Sequence, residues 1–307
     1  MKKAYFYIDD TIWVLRDITR QKPKSLFDNP LLNVLKTAHD KYGLKVQLNL
    51  FYRTDSFYGY DEFSLKDVTK KYKKEFKANS DWLKFAFHAL EEFPDYPHIN
   101  ATYEDTKKLF KMIEKEVFRF AGKDSFSYTV CPHWLPMSKE AVHALADCNV
   151  SLLDCTVGEV SEYNGDPSSL PYGHAARLLN NRAPETKVFT RVTRDTAISR
   201  SVCGYNHLSP DDDEKTRNNC STIHNDEFGI EFKKYCSTCL NTTPFNEIDD
   251  EFSKLLDREY IGICDHEQYF YPDYFAYQKD YADKIFKMCE ILTSNGFVFI
   301  EGAEILK

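Results

Sequence analysis

Short apolar runs alternate with helical stretches through most of this chain, and an acid or a histidine follows nearly every run. Alternation of that kind argues for a mostly parallel sheet with helices packed on its faces. Residues 4–8 form the first run and end at Asp9-Asp10. Asn29-Pro30 supplies an N-cap and first-turn pair for a helix through Leu31, Leu32, Leu35 and Ala38, and Gly43 stops it. Residues 44–50 alternate as a strand, 65–78 read as a lysine-rich amphipathic helix, and 83–87 form a strand ending at His88. A helix runs from Thr102 to about Ala121, a strand covers 126–130, a helix starts at Ser138, and a strand covers 150–155. Beyond the middle of the chain the pattern returns as a helix at 248–256, a strand at 260–264, a helix at 277–294 and a strand at 297–300.

Right-handed crossovers make a series of such units close into a barrel or wind doubly. The first strand is followed by no glycine-rich phosphate loop, and no GxSxG elbow is present. The expected fold is therefore α/β, an irregular (β/α) barrel forming one domain over 1–307. The zone 158–246 is less regular and reads as an insertion. It carries candidate strands at 188–192 and 228–235 and an exposed loop at Asp211-Asp212-Asp213.

Forty basic against 48 acidic residues give a net charge of -8, which argues against nucleic acid or an anionic membrane as partner. No apolar run reaches the ~18 residues of a membrane span. The apolar start breaks off at two carboxylates, so no leader is expected and the location expected is cytoplasmic. A small-molecule or glycan substrate remains, and nothing in the composition speaks to oligomeric state. The 23 Phe and 20 Tyr suit aromatic-rich strands or a site that stacks sugars. Nine cysteines in a cytoplasmic chain are expected as reduced thiols. The densest group is Cys203, His207, Cys220, His224, Cys236 and Cys239. Cys236-Ser-Thr-Cys239 has zinc-knuckle spacing but lacks a second pair.

In a parallel α/β fold the site lies at the carboxyl ends of the strands. Those ends carry Asp9 and Asp10, then His88, then Cys131 and His133, then Asp154, then Asp265, His266 and Glu267. A carboxylate with one or two imidazoles can hold a divalent metal. A second carboxylate can then take a proton from water, and an imidazolium can return one to a leaving group. Taken singly, Asp9-Asp10 also suits a turn cap and each histidine a hydrogen-bonded residue.

At these residues the chain resembles the polysaccharide deacetylase superfamily, carbohydrate esterase family 4 in the broad sense. The resemblance implies an irregular barrel of about seven strands, a (β/α)7 fold. Tyr7-Ile8-Asp9-Asp10 is similar to the family's aspartate motif, which makes Asp9 the catalytic base and Asp10 a metal ligand. Phe85-Ala-Phe-His88-Ala-Leu-Glu-Glu92 resembles its histidine motif, with His88 a ligand and either Glu92 or His98 the next one. Cys131-Pro-His133-Trp134-Leu-Pro-Met-Ser138 stands where the family has Arg-x-Pro; the Arg is missing, and His133 is expected to hold Asp9 in its place. Tyr260-Ile-Gly-Ile-Cys-Asp-His266 resembles the last motif and makes His266 the acid. The implied cofactor is a divalent metal ion (Zn, Mn or Co), with a Glu92 carboxylate favouring harder cations such as Mn or Mg. The implied activity is removal of an N- or O-acetyl group from a carbohydrate. A degenerate deacetylase fold that only binds its sugar is the alternative. A glycoside hydrolase using Asp10 and Glu267 is the third reading. Trp13, Trp134, Tyr269 and Tyr271 serve as sugar-stacking walls or as core packing, and Tyr58, Tyr60 and the loop 158–166 are candidates to shape the cleft.

Overall fold

The computed structural model describes residues 1–54, 62–93, 96–157, 204–274 and 276–307. Tyr58, Tyr60, Cys203, the loop 158–166 and the strand expected at 188–192 lie outside the described residues. In chain order the first half carries β1 (Lys2–Thr11), α1 (Trp13–Gln21), α2 (Pro30–Tyr42), β2 (Val46–Phe51), α3 (Lys73–Ala78) and β3 (Leu83–Ala89). Then come α4 (Tyr103–Phe120), β4 (Thr129–Val130), α5 (Lys139–Asp147), β5 (Leu152–Asp154) and β6 (Thr156–Val157). After residue 203 follow β7 (His207–Leu208), α6 (Pro210–Arg217), β8 (Ile223–Asn225), β9 (Ile230–Lys233), β10 (Thr238–Cys239), α7 (Ile248–Ser253), β11 (Tyr260–His266), α8 (Tyr281–Ser294) and β12 (Phe297–Phe299). Among the described residues no helix is long and apolar enough to cross a membrane.

The caps sit where the sequence puts them. Asn29 accepts from Leu32 N–H, Pro30 opens α2, and Gly43 ends it at φ +69°. Two expected elements change. The helix expected over 65–78 is a turn at Leu65–Asp67 and a separate α3, because the Arg119 guanidinium takes the carbonyls of Leu65, Lys66 and Val68 at 2.6–3.1 Å. Those are the acceptors that a continuous helix would need. Asp211–Asp213 is the first turn of α6, capped by Ser209 with Pro210 at its start, and Asp213 is buried against Arg217.

The strands form a mostly parallel, mixed α/β arrangement. One sheet runs β10-β11-β1-β2-β3, all parallel, with β12 also beside β1. A second runs β4-β5-β9-β8, and only β8 is antiparallel. Among the described residues the pairing stops short of a closed ring. At one seam a single parallel bridge joins Phe85 to Phe126, with Ser127 N–H on the Phe85 carbonyl at 2.7 Å. At the other, the chain itself leaves β5 as β9 and reaches β11 as β10. The last part of the expected insertion therefore supplies strands to both sheets. Gly262 in β11 permits this passage, since a Cβ there would lie 1.7 Å from the Tyr235 carbonyl oxygen.

Alternation along β1 divides the interior. Ala4, Phe6 and Ile8 join the main core with helix residues such as Leu15, Leu35 and Ile285. Tyr5 and Tyr7 join Leu152, Tyr235, Tyr260 and Cys264 in a smaller cluster drawn from both sheets. Asp9 follows Tyr7 on this inner face, at the carboxyl end.

Candidate functional site

Consecutive residues of a regular strand point to opposite faces. Asp9 and Asp10 escape that rule because β1 shifts register against β2 between Ile8 and Thr11, and Asp10 takes φ +61°. The bulge turns both carboxylates toward the site. A similar device follows β4, where Trp134 and Leu135 both have positive φ and fold His133 back over His88.

Asp10 Oδ1 lies 3.1 Å from His88 Nε2 and 3.2 Å from His133 Nδ1, and the two imidazole nitrogens are 3.1 Å apart. Neighbouring ligands around an ion with ~2.0–2.1 Å bonds are separated by about 3.0–3.4 Å, so this triangle fits a divalent metal. The outer ring atoms support the fit. His88 Nδ1 lies 2.6 Å from the Cys131 carbonyl, and His133 Nε2 lies 3.0 Å from the Glu92 carbonyl. A carbonyl only accepts, so each outer nitrogen carries a proton, and the inner nitrogen is the one that can present a lone pair to an ion once it sheds any proton shared with Asp10. All three side chains are buried. Burial opposes charge on Asp10, but His133 and His88 hold its carboxyl well below the usual range. Burial also works against protonation of His88, yet Asp9 and Asp10 raise it.

The expected ligands Glu92 and His98 are placed differently. His98 Nε2 meets the His88 carbonyl at 2.8 Å, and burial pushes its ring down to about 3, so it is a neutral, structural contact. The Glu92 carboxylate accepts from Gln268 Nε2 at 3.0 Å, and the same nitrogen donates to Asp10 Oδ2 at 2.8 Å. His133, expected to hold Asp9, faces Asp10 instead because the Glu92 carbonyl fixes its far side. Asp9 is held by Asn49 Nδ2 at 2.6 Å, with the thiols of Cys264 at 3.4 Å and Cys131 at 3.8 Å on its other oxygen. Gln47 in turn donates to Asn49 at 2.8 Å. Gln268, Asn49 and Gln47 escaped the sequence reading. Two amides on alternate positions of an otherwise apolar strand were the available signal for the last pair.

Glu267 is committed elsewhere. Its carboxylate accepts from the amides of Ile12, Trp13 and Val14 at 2.7–2.8 Å and caps α1; burial pushes the carboxyl up to about 7 against those bonds. Trp13 packs edge-on against Tyr271 and Tyr274, and Tyr269 against Tyr274; these rings are buried and form a packed cluster. Trp134 is partly exposed and packs on Tyr96.

Beside Asp9 lies a thiol cluster. Cys239 and Cys264 are register partners on β10 and β11, as Asp9 and His266 are on β1 and β11. The Cys239 and Cys264 thiols and the His266 ring lie within 4.8 Å of one another. Asn241 Oδ1 accepts from Cys239 at 2.9 Å and lies 3.0 Å from His266 Nδ1. A hydrogen bond with Cys264, against burial and helped by His266, brings the Cys239 thiol down to about 5. Burial disfavours the His266 cation, but Cys239 and the carboxylates of Asp10 and Asp9 raise it well above its usual value. The six-residue Cys and His group of the sequence is not assembled among the described residues. His207 bonds Thr156 Oγ1, and exposed His224 bonds Glu231.

No family model and no curated protein matches this chain. Among solved structures, the chain is similar to a 4-alpha-glucanotransferase from Thermococcus litoralis, with a TM-score of 0.54 at 11% identity. The match covers 100% of this chain and 40% of that one, so the chain spans well under half of that protein's length. At this identity the likeness is one of fold alone.

Proposed function

We propose that the chain is a metal-dependent hydrolase that removes an N- or O-acetyl group from a glycan-class substrate, on a seven-stranded (β/α) barrel left open at one seam. The ring order is β10-β11-β1-β2-β3-β4-β5, with β9 and β10 counted as one strand that crosses from β5 to β11. Similarity to the glucanotransferase supports a carbohydrate-active scaffold of this kind. One observation carries the reading: two imidazoles with their outer nitrogens on carbonyls aim their inner nitrogens at one point, beside the Asp10 carboxylate.

Asp10, His88 and His133 would hold the ion, and zinc, manganese and cobalt all suit that donor set. When bound, such an ion supplies Lewis-acid chemistry, polarising the acetyl carbonyl and acidifying water. Asp9 accepts the proton of the attacking water, its carboxylate held by Asn49 and two thiols. His266, in register with Asp9, gives a proton to the leaving nitrogen or oxygen. Gln268 orients Asp10.

A second reading has one observation in its favour. Gln268 Nε2 bridges Asp10 Oδ2 and Glu92 Oε2, which places the two oxygens within about 6 Å of each other, near the ~5–5.5 Å of a retaining glycosidase. The third option of Asp10 with Glu267 loses its nucleophile to the cap of α1.

The test is acetate release from acetylated chitooligosaccharides and acetyl esters, by protein stripped with chelator and reloaded with zinc, manganese or cobalt. The hydrolase reading expects release that requires metal and disappears in His133→Ala. Glycosidic cleavage that survives the chelator would replace it with the second reading. Sugar binding without release under any metal would leave a binding protein.

A further inference from the structure

The Cys236-x-x-Cys239 spacing is unused by this reading, yet it delivers Cys239 to a point where a strand partner and a histidine already converge. We propose that Cys239, Cys264 and His266 form a second metal site beside Asp9, specific for a soft divalent ion such as zinc.

Three observations support it. The three donors lie within 4.8 Å of one another, and Cys239 Sγ is 4.0 Å from His266 Nδ1. At metal distances of ~2.3 Å to sulfur and ~2.0–2.1 Å to nitrogen, that pair sits about 3.6 Å apart, so ligation needs closure by a few tenths of an ångström and loss of the Nδ1 proton that faces Asn241 Oδ1 at 3.0 Å. Second, the donors are fixed by register rather than by chance packing. Cys239 pairs with Cys264 across β10 and β11, and His266 is two residues further along the same face. Third, two thiolates with one imidazole make a three-ligand set that leaves a coordination position open, the arrangement of catalytic rather than structural zinc. Cys236 lies outside this set of three, with its thiol on the Thr238 carbonyl at 3.2 Å and also beside Cys264. Binding displaces to solvent the protons that the Cys264 thiol and the His266 ring carry, so affinity rises with pH.

The donor types separate the two sites. Thiolates select soft ions, whereas Asp10, His88 and His133 accept a wider range. One consequence rests on the hydrolase reading. A His266 that ligates a metal cannot give a proton to a leaving group, so zinc in excess of one equivalent should inhibit acetate release.

The experiment is a cobalt titration of the full chain, stripped with chelator and kept under a non-thiol reductant. Wild type should bind two equivalents, one of them producing the intense near-ultraviolet charge-transfer band of a cobalt–thiolate bond. Cys239→Ser and Cys264→Ser should each remove the band and one equivalent, while Cys220→Ser and Asp10→Asn retain the band. No band in the wild type, or a band that survives both cysteine variants, overturns the proposal. Circular dichroism of each variant identifies one that has merely unfolded, and the wild-type spectrum decides by itself in that case. Because the readout is spectroscopic, absence of hydrolysis would sink the proposed activity and leave this site standing, and the converse also holds.

Discussion

Two donor clusters lie beside Asp9 and differ in what holds them. On one side every donor has its far end fixed by a backbone carbonyl or an amide: Cys131 behind His88, Glu92 behind His133, Gln268 behind Asp10. On the other side two thiols and an imidazole are brought together by strand register, with Asn241 as a shared side-chain partner. The first cluster is preorganised for an ion before it arrives. The second must shed protons and close slightly. Rigidity is thus concentrated on the side where chemistry is proposed, and adaptability on the side where a soft ion would be taken up.

Asp10→Asn is the harshest test of that division. It keeps the volume and removes the only anionic donor of the first cluster. Loss of Lewis-acid stabilisation worth several kcal/mol predicts a fall in kcat/KM on the order of 10³-fold. Metal analysis should show the first equivalent lost and the thiolate band intact. Loss of both together would mean that the clusters are one site.

Gln268→Leu probes the support behind the donor. Removal of the shared amide leaves the Asp10 and Glu92 carboxylates facing each other without a proton between them. Outer partners of this kind are worth about 10–100-fold in metal affinity. Competition titration should show that loss at the first cluster and no change in the thiolate band. A variant with unaltered affinity would show that Asp10 needs no orienting partner.

The sequence exposed the scaffold better than the contacts. Strand ends were legible because apolar runs stop at charged residues, and Asp9, Asp10, His88, His133 and His266 all reach the same end of the sheets. The ligand partners were not legible, because a bulge at Asp10 and a left-handed turn at Trp134-Leu135 decide them. Trp and Leu do not announce positive φ, and Asp, though enriched there, does so only weakly. The resemblance points to Glu92 or His98 as the next ligand and to His133 as the group that holds Asp9, yet motif order says nothing of which imidazole a backbone carbonyl claims. The helix expected at 65–78 failed for a related reason: Arg119, some fifty residues later, competes for its carbonyls. Cys264 was invisible as a donor because it sits inside an apolar strand whose partner strand, β10, lay in the zone read as insertion.

His98 sharpens the comparison from outside both clusters, and its effect is the smallest. Its ring is buried and held neutral, down to about 3 from an ordinary 6.5. Below pH 6.5 the unfolded chain binds a proton at His98 that the folded chain refuses until about pH 3. Acid therefore favours unfolding across that window, and the contribution is fully present only above pH 6.5. Between pH 7.5 and pH 5 the linkage amounts to about 2 kcal/mol. His98→Phe removes the titrating group and keeps a ring of similar size against Phe87. It loses the bond to the His88 carbonyl, which lowers stability at both pH values alike. The gap between wild type and variant in urea unfolding, measured on metal-free protein, should therefore narrow by about 2 kcal/mol from pH 7.5 to pH 5. A histidine that serves as a ligand is recognised by a different readout: its replacement lowers metal stoichiometry, whatever the gap on metal-free protein. That result would return His98 to the first cluster and displace His133.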